Sequence, residues 1–300
     1  MTHDRIRIKA RARALLRQAD PKPWTVTLIH WFFSADLSAL CLLFFLTADA
    51  FTGEPAALPL LLTAILVTVA VALFLIVFHA GYVSYTLRLR QTGKGGPMDL
   101  ISGFFRGGEI LALRLSVLLF CVLWAAAGEI ATRLILLFLH SDALVWNTLL
   151  RLVLGGVVLN RQLDYALALR ILLAHPEFSY VDAIARSKRM MEGRKMDLLL
   201  LLLSFLGWFL LVAGAALLAI LPGLLLQSAG AFLPVLPQLP SWFLTPFIVV
   251  GCAAAFPLLL WLTGYISVAW SGFYAAASAP PFPGVSPTTA DPPSGGKRLK

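Results

Sequence analysis

Charged residues are scarce in this sequence. They make up 13% of the 300 residues, which is about half of the share found in soluble domains. Hydrophobic residues make up 59% of the chain, and a globular fold of this length has too little interior to bury that much apolar surface. The scarcity of charge therefore excludes an ordinary soluble protein and predicts an integral membrane protein.

Cysteines and catalytic motifs are also sparse. The three cysteines, Cys41, Cys121 and Cys252, each lie in an apolar run and lack the spacing of a disulfide framework or a metal site. The sequence contains no glycine-rich phosphate loop, no HExxH and no GxSxG motif. His30 and His79 have no third ligand at a suitable spacing. We therefore expect no enzyme activity, no metal ion and no cofactor.

Six apolar stretches are long enough to cross a membrane. An α-helix rises about 1.5 Å per residue, so about 20 residues cross about 30 Å of hydrocarbon. The predicted spans are Trp24–Leu46, Leu58–Leu87, Ile110–Phe138, Leu144–Leu173, Leu198–Leu221 and Phe243–Ala277. The predicted fold class is all-α and polytopic. It has a basic segment 1–23, a six-span domain 24–277 and a disordered, proline-rich tail 278–300.

Lysine and arginine occur in alternate connections between the spans. They lie before the first span, between the second and third, between the fourth and fifth, and in the tail, whereas 49–54, 140–142 and 222–242 contain none. Connections rich in lysine and arginine stay in the cytoplasm. We therefore expect a multi-pass protein of the bacterial inner (plasma) membrane with both termini cytoplasmic. Its formal charge of +9 indicates the anionic inner leaflet as its partner, and not nucleic acid.

The connection between the fourth and fifth spans contains a further helix signal. Ser179 and Asp182 form a capping pair after Pro176, and Gly193 provides a left-handed stop. The pattern predicts a short amphipathic helix on the inner surface. Its apolar stripe is predicted to contain Tyr180, Ile184 and Met191.

Five basic residues in and after this short helix form a candidate contact surface. They are Arg186, Lys188, Arg189, Arg194 and Lys195. One interpretation is recognition of anionic lipid or of a protein partner, such as another membrane protein or a second copy of the chain. The other is a topological anchor, because any inner connection is expected to be basic.

Ionisable residues inside the predicted spans form a second candidate site. They are His30, Asp36, His79, Arg114, Arg161 and Asp164. Arg161 and Asp164 are three residues apart, so they can pair on one helix face. We expect a polar layer in the inner half of the bundle, with Asp36 and Asp164 facing Arg114 or Arg161. This layer either binds a headgroup, ion or proton in a small transporter or channel, or neutralises itself and fixes helix register.

Two further patterns concern the helices themselves. Carriers often break helices at their substrate sites, and Gly155-Gly156 and Pro257 are the candidate breaks in this sequence. Small residues at four-residue spacing predict close helix–helix packing. They are Ala215, Ala219 and Gly223 in the fifth span, and Gly251 and Ala255 in the sixth.

One long motif runs from the fourth span into the fifth. It reads YALALRILLAHPEFSYVDAIARSKRMMEGRKMDLLLLLLSFLGW and resembles the signature of a bacterial integral-membrane family, the domain of unknown function 975. The matching positions are Tyr165, Pro176, Ala183, Ser187, Met191, Gly193, Ser204, Phe205, Gly207 and Trp208. The stretch GYVSYTLRLRQ with DLISGFF resembles the family's Gly-Tyr and Gly-Phe loop, and Gly272-Phe273-Tyr274 its closing Phe-Tyr.

The resemblance implies a six-span inner-membrane protein, without an established activity or catalytic residues. The chain departs from the family pattern in a proline-rich insertion at Pro222–Pro246. It also has Thr263-Gly264 before Tyr265, where the family has proline.

Overall fold

The chain folds into α-helices connected by short segments. The computed structural model describes residues 2–19, 22–50, 57–139, 144–232 and 244–278, and these ranges contain no β-strand. The helices are α1 (Thr2–Gln18), α2 (Pro23–Ala50), α3 (Ala57–Thr92), a 3₁₀ helix (Pro97–Arg106), α4 (Gly107–Leu139), α5 (Leu144–Asp164), α6 (Ala168–Ala174), α7 (Tyr180–Met191), α8 (Lys195–Leu203), α9 (Leu206–Phe232) and α10 (Thr245–Ser278). The predicted disordered tail lies outside the described residues from 279 onward.

Six helical stretches are long and apolar enough to cross a membrane. They are Pro23–Phe44, Leu58–Thr92, Pro97–Phe138, Trp146–Ala174, Lys195–Leu225 and Thr245–Ser278. Most residues in their most apolar windows are exposed on the outside of the helix bundle, as lipid-facing helices require. The predicted all-α fold and the six spans are confirmed, and the chain is a multi-pass membrane protein.

The buried core lies toward one end of the bundle, which we call the basic end. There α1 packs on α10, the 3₁₀ helix packs on α3, and α7 packs on α6. The largest fully buried side chains include Tyr82, Tyr85 and Tyr265. Helix α1 is part of this core, since Ile8 and Ala12 are buried. The basic N-terminal segment is therefore a packed element of the fold.

The fourth and fifth spans are each broken near the basic end. Residues 165–167 separate α5 from α6, and residues 204–205 separate α8 from α9. The candidate breaks at Gly155-Gly156 and Pro257 are not breaks in the structure, because α5 and α10 continue through them. Glycine and proline are tolerated within a membrane helix when its freed backbone groups are satisfied locally.

Side chains from distant helices satisfy the backbone at both breaks. The hydroxyl of Ser187 in α7 donates a hydrogen bond to the backbone carbonyl of Asp164 at 2.8 Å. The same hydroxyl accepts a hydrogen bond from the backbone N–H of Leu167 at 3.3 Å. Lys9 of α1 donates from Nζ to the carbonyl of Ser204 at 3.1 Å, and its ammonium lies 4.6 Å from the centre of the Phe205 ring. Burial, and then the nearby charge of Arg13, lowers the pKa of Lys9.

Helix α3 and the 3₁₀ helix approach each other at two glycines. A Cβ atom on Gly81 would lie 1.8 Å from the carbonyl oxygen of Leu100, and one on Gly103 would lie 2.5 Å from the carbonyl oxygen of Val77. Only glycine allows so close a backbone contact. These two positions are the glycines of the GYVSYTLRLRQ and DLISGFF stretches, so close packing explains both of them.

Helices α9 and α10 pack through small residues. A Cβ atom on Gly251 would lie 3.1 Å from the carbonyl oxygen of Ala216, and one on Gly223 would lie 2.7 Å from the Phe247 ring. The close contact predicted for Gly223 and Gly251 is therefore confirmed within the chain.

Candidate functional site

A cavity of about 670 Å³ lies among α3, α4, α5, α6, α8 and α10. Its volume falls in the range of ligand pockets. Most of its wall is aliphatic, with leucines from α4, α5, α6 and α8. The hydrogen-bonding and charged side chains in the wall are His79, Arg114, Gln162, Tyr165, Arg170, Ser267 and Trp270.

Arg170 is the most enclosed charged group of this cavity. Its residue is 6% exposed, and its guanidinium lies 4.6 Å from the centre of the Trp270 ring. The Nε of Arg170 and the indole Nε1 of Trp270 are both buried without a hydrogen-bond partner. Buried donors in native proteins are nearly always paired. These two groups therefore point to an acceptor that the described part of the chain does not supply.

Arg114 supplies a second positive charge to the cavity. It lies about 10 Å along α4 from Gly107 by helical rise, and it is partly buried. Arg114 forms no ion pair or hydrogen bond within the described ranges, and it lines the same cavity as Arg170. None of the lining residues is acidic. The cavity wall thus carries two positive charges without a negative partner.

The two predicted histidines meet at the edge of this cavity. His79 lines it, and its Nδ1 lies 3.4 Å from Nε2 of His30. His30 in turn lies 3.3 Å from the hydroxyl of Ser34 and stacks edge-on against Tyr82. Across the described residues, no three histidine, cysteine, aspartate or glutamate side chains lie together as a metal site requires. The pair therefore adds hydrogen-bonding groups to the edge of the cavity.

Asp164 lies in a buried ion pair at the end of α5. Its side chain is 4% exposed and its Oδ1 lies 2.6 Å from Nζ of Lys195. Its Oδ2 lies 3.9 Å from Arg161, so the predicted pairing of Arg161 with Asp164 is confirmed. Lys195 also donates to Asn160 at 3.1 Å. Lys195 therefore makes contacts within the fold. Its position in the sequence had placed it among the five basic residues of the candidate contact surface.

Asp36 lies on the exposed side of α2. It forms no ion pair in the part of the chain that the structure describes, and no residue of α2 lines the cavity that contains Arg114. The predicted pairing of Asp36 with Arg114 or Arg161 is therefore absent from the described residues. The prediction considered the depth of each residue along its helix, whereas pairing also depends on helix rotation and helix neighbours.

Helix α7 begins and ends as its sequence predicts. The hydroxyl oxygen of Ser179 accepts a hydrogen bond from the backbone N–H of Asp182 at 3.3 Å. The carboxylate of Asp182 accepts one from the backbone N–H of Ser179, also at 3.3 Å. After the helix, Gly193 has a left-handed φ of 73°. This reciprocal capping fixes the position at which α7 starts on the surface of the bundle.

The two faces of α7 have different roles. Ala183, Ser187 and Met191 are fully buried, whereas Tyr180 and Ile184 of the predicted apolar stripe are only partly buried. The other face exposes Arg186, Lys188 and Arg189, which we call the α7 basic surface.

Arg194 does not belong to the α7 basic surface. Its Nη1 donates to the carbonyl of Ala277 at 2.9 Å, which satisfies one of the last carbonyl groups of α10. Like Lys195, this residue joins the segment after α7 to another helix of the bundle.

Arg170 and Trp270 were not among the candidate residues from the sequence. Arg170 lies three residues before the end of the predicted fourth span, Leu144–Leu173, so the sequence groups it with the basic residues at the margin of the following connection. A signal was present, since Arg170 stands alone in the apolar run ALALRILLA. An isolated cation inside such a run is expected to face a cavity or a partner.

Comparison with known proteins gives one relationship. The model of the family described as "Protein of unknown function (DUF975)" matches residues 1–279, which include the cavity, both helix breaks and α7. No curated protein and no solved structure matches the chain. This sequence belongs to the DUF975 family of proteins of unknown function.

Proposed function

We propose that this chain is a non-enzymatic protein of the bacterial inner membrane whose basic face lies in the cytoplasm and engages anionic lipid or an acidic protein partner. The observation that supports the proposal is the α7 basic surface. Arg186, Lys188 and Arg189 are exposed and have no ion-pair partner within the described residues. Each basic residue close to an anionic leaflet contributes about 1 kcal/mol to membrane association.

Four acidic residues at the basic end have partners within the chain. Asp99 pairs with Arg88, and Glu109 pairs with Arg106. Asp164 pairs with Lys195, and Asp182 caps α7. None of these four carboxylates therefore pairs with the α7 basic surface.

The geometry of α7 favours a fixed binding surface. The buried contacts of Ala183 and Ser187 hold the helix on the bundle, and the guanidinium of Arg186 lies 4.9 Å from the centre of the Phe178 ring. Arg189 lines the same shallow surface cleft as Arg186. Cations whose backbone is already fixed lose less conformational entropy on binding than cations of a flexible tail.

Charge reversal tests the α7 basic surface. In the triple variant Arg186→Glu, Lys188→Glu and Arg189→Glu, we expect a several-fold loss of phosphatidylglycerol retained by purified protein in nanodiscs, because three attractive charges become repulsive. Mass spectrometry of the extracted lipid, together with recovery of bound proteins, measures both kinds of partner. The matched control is Lys297→Glu, Arg298→Glu and Lys300→Glu, which makes the same change of charge in the tail.

The comparison with the tail variant decides the proposal. An α7 variant that keeps the lipid and protein partners of the wild type contradicts it. An equal loss in both variants also contradicts it, because the binding would then follow net charge and not the α7 basic surface.

A small transporter or channel is a second candidate function. It is favoured by the broken fourth and fifth spans, since transport proteins often place broken helices at their sites, and residues 165–166 of one break line the cavity. The sequence assigns the transport path to a polar layer that includes Asp36, Asp164 and Arg114, and of these three residues Arg114 lines the cavity.

Flux measurements in proteoliposomes test the second candidate. If the protein transports protons or small anions through the cavity, Arg114→Gln lowers the dye-monitored flux severalfold, while Asp36→Asn leaves it close to wild type. Asp164→Asn is a poor variant for this purpose, because it also breaks the pair with Lys195. Wild-type vesicles with no flux above that of empty vesicles would exclude this function for protons and the anions tested.

A further inference from the structure

We infer that the cavity between Arg114 and Arg170 binds one anionic amphiphile, with its acidic headgroup at the two guanidinium groups and its hydrocarbon chain along the aliphatic wall. This site goes beyond the proposed α7 basic surface. The surface would attract many headgroups loosely, whereas the cavity is closed on several sides and has room for a single molecule.

The chemical class of the headgroup follows from the unpaired N–H groups in the cavity, which need hydrogen-bond acceptors. The Nε of Arg170 and Nε1 of Trp270 are buried without acceptors, and the described part of the chain gives Arg114 no ion-pair partner. A guanidinium presents parallel N–H groups that match a phosphate or a carboxylate. The Trp270 ring beneath Arg170, 4.6 Å away, restricts the orientation of this donor group. The site thus fits an anion with at least two acceptor oxygens.

The charge of the cavity wall favours an anionic occupant over a cationic or a neutral polar one. Two arginines in a wall that contains no acidic group leave positive charge in a poorly solvated place. A buried charge without a partner is costly, so an anion that enters the cavity recovers part of that cost. A zwitterionic headgroup would bring its own cation near the two arginines and recover less.

The tail is identified by the rest of the wall. Leu113 and Val117 of α4 and Leu163 of α5 add aliphatic side chains to the cavity wall. Two other lining residues, Leu118 and Leu159, are 58% and 45% exposed, so the aliphatic wall extends to the lipid-facing side of the bundle. An acyl chain can therefore follow the wall from the headgroup site into the bilayer. A small inorganic anion would leave this apolar surface uncovered.

Native mass spectrometry of the full-length protein tests this inference. The probes are phosphatidylglycerol, phosphatidylcholine and inorganic phosphate, in mild detergent with 0.5 M NaCl to screen exposed charges. We expect one phosphatidylglycerol per chain, at least tenfold weaker binding of phosphatidylcholine, and no displacement of the lipid by millimolar phosphate. The double variant Arg114→Gln and Arg170→Gln should weaken phosphatidylglycerol binding at least tenfold, as expected for lost charged hydrogen bonds.

Thermal unfolding separates loss of the site from loss of the fold. Without added lipid, the double variant should unfold at or above the wild-type temperature, since it removes two unpaired charges and leaves no partner behind. It should lose the rise in unfolding temperature that phosphatidylglycerol gives to the wild type. The variant Arg114→Lys with Arg170→Lys keeps the charge and should retain part of that rise.

Three outcomes would overturn the inference. They are wild-type binding of phosphatidylglycerol by the double glutamine variant, displacement of the lipid by inorganic phosphate, and equal binding of phosphatidylcholine. The α7 triple variant distinguishes lipid bound in the cavity from lipid bound at the α7 basic surface. It should keep the single cavity lipid in 0.5 M NaCl, whether or not the exposed surface binds anything.

Discussion

Replacing Gly81 with alanine is expected to destabilise the basic end by about 3 kcal/mol or more. The new Cβ atom would lie 1.8 Å from the carbonyl oxygen of Leu100, so α3 and the 3₁₀ helix would have to separate. Overpacking in a close-packed interior costs about 1–3 kcal/mol, and more when backbone must move. Thermal and denaturant unfolding of the purified protein in detergent measures the loss.

Gly108→Ala is the matched control for this prediction. Gly108 also lies in a helix, but no heavy atom outside its own helix lies within 4 Å of a Cβ built there. Alanine favours the helix over glycine by about 1 kcal/mol, so this variant should be as stable as the wild type or slightly more stable. Similar unfolding temperatures for Gly81→Ala and Gly108→Ala would show that the two helices are not in backbone contact.

Replacing Lys195 with methionine is expected to cost about 2–4 kcal/mol in stability. The substitution keeps much of the side-chain volume but leaves the carboxylate of Asp164, which is 4% exposed, without its close partner. Removing one member of a buried pair costs about 3–5 kcal/mol. Arg161, 3.9 Å from the same carboxylate, and the 26% exposure of Lys195 reduce that cost. The measurement is the unfolding temperature in detergent.

A second substitution should restore the stability of the Lys195 variant. In Lys195→Met with Asp164→Leu, no buried charge is left unpaired, and apolar replacement of a buried pair is often neutral or stabilising. Arg161→Met is the control. It removes a longer and more exposed contact, so its effect should stay within about 1 kcal/mol. If Lys195→Met and Arg161→Met had equal effects, the short contact would have no special importance for the fold.

Much of the membrane architecture follows from local sequence patterns. The six spans need only length and hydropathy, and the start of α7 needs only Ser179 and Asp182, which are three residues apart in the sequence. The pair of Arg161 with Asp164 depends on three-residue spacing within one helix. In each of these cases the interacting groups are close in the sequence.

The helix breaks could not be predicted in the same way. The break after α5 is completed by Ser187, which follows Asp164 by 23 residues, and the break after α8 by Lys9, which precedes Ser204 by 195 residues. The flanking sequence has no proline at either position. Tertiary contacts, and not local propensity, determine where these helices end.

The cavity residues were also only partly predictable, because they come from helices that are distant in the sequence. The sequence indicated Arg114 and His79 because they are ionisable residues inside spans, and both line the cavity. It missed Arg170, because this residue lies at the margin of the predicted fourth span, Leu144–Leu173, and groups with the basic residues of the connection that follows. It also paired Asp36 with the wrong helix, because the depth of a residue carries no information about the direction of its side chain.

The contact between Lys9 and Ser204 has a consequence for assembly. A ribosome produces α1 first, yet the carbonyl that accepts its ammonium belongs to the fifth hydrophobic segment, and the surface that covers Ile8 belongs partly to α10. The leading helix therefore remains undocked during most of synthesis and closes the bundle only when the final segments have been inserted. A protein released before that stage would expose the apolar side of α1.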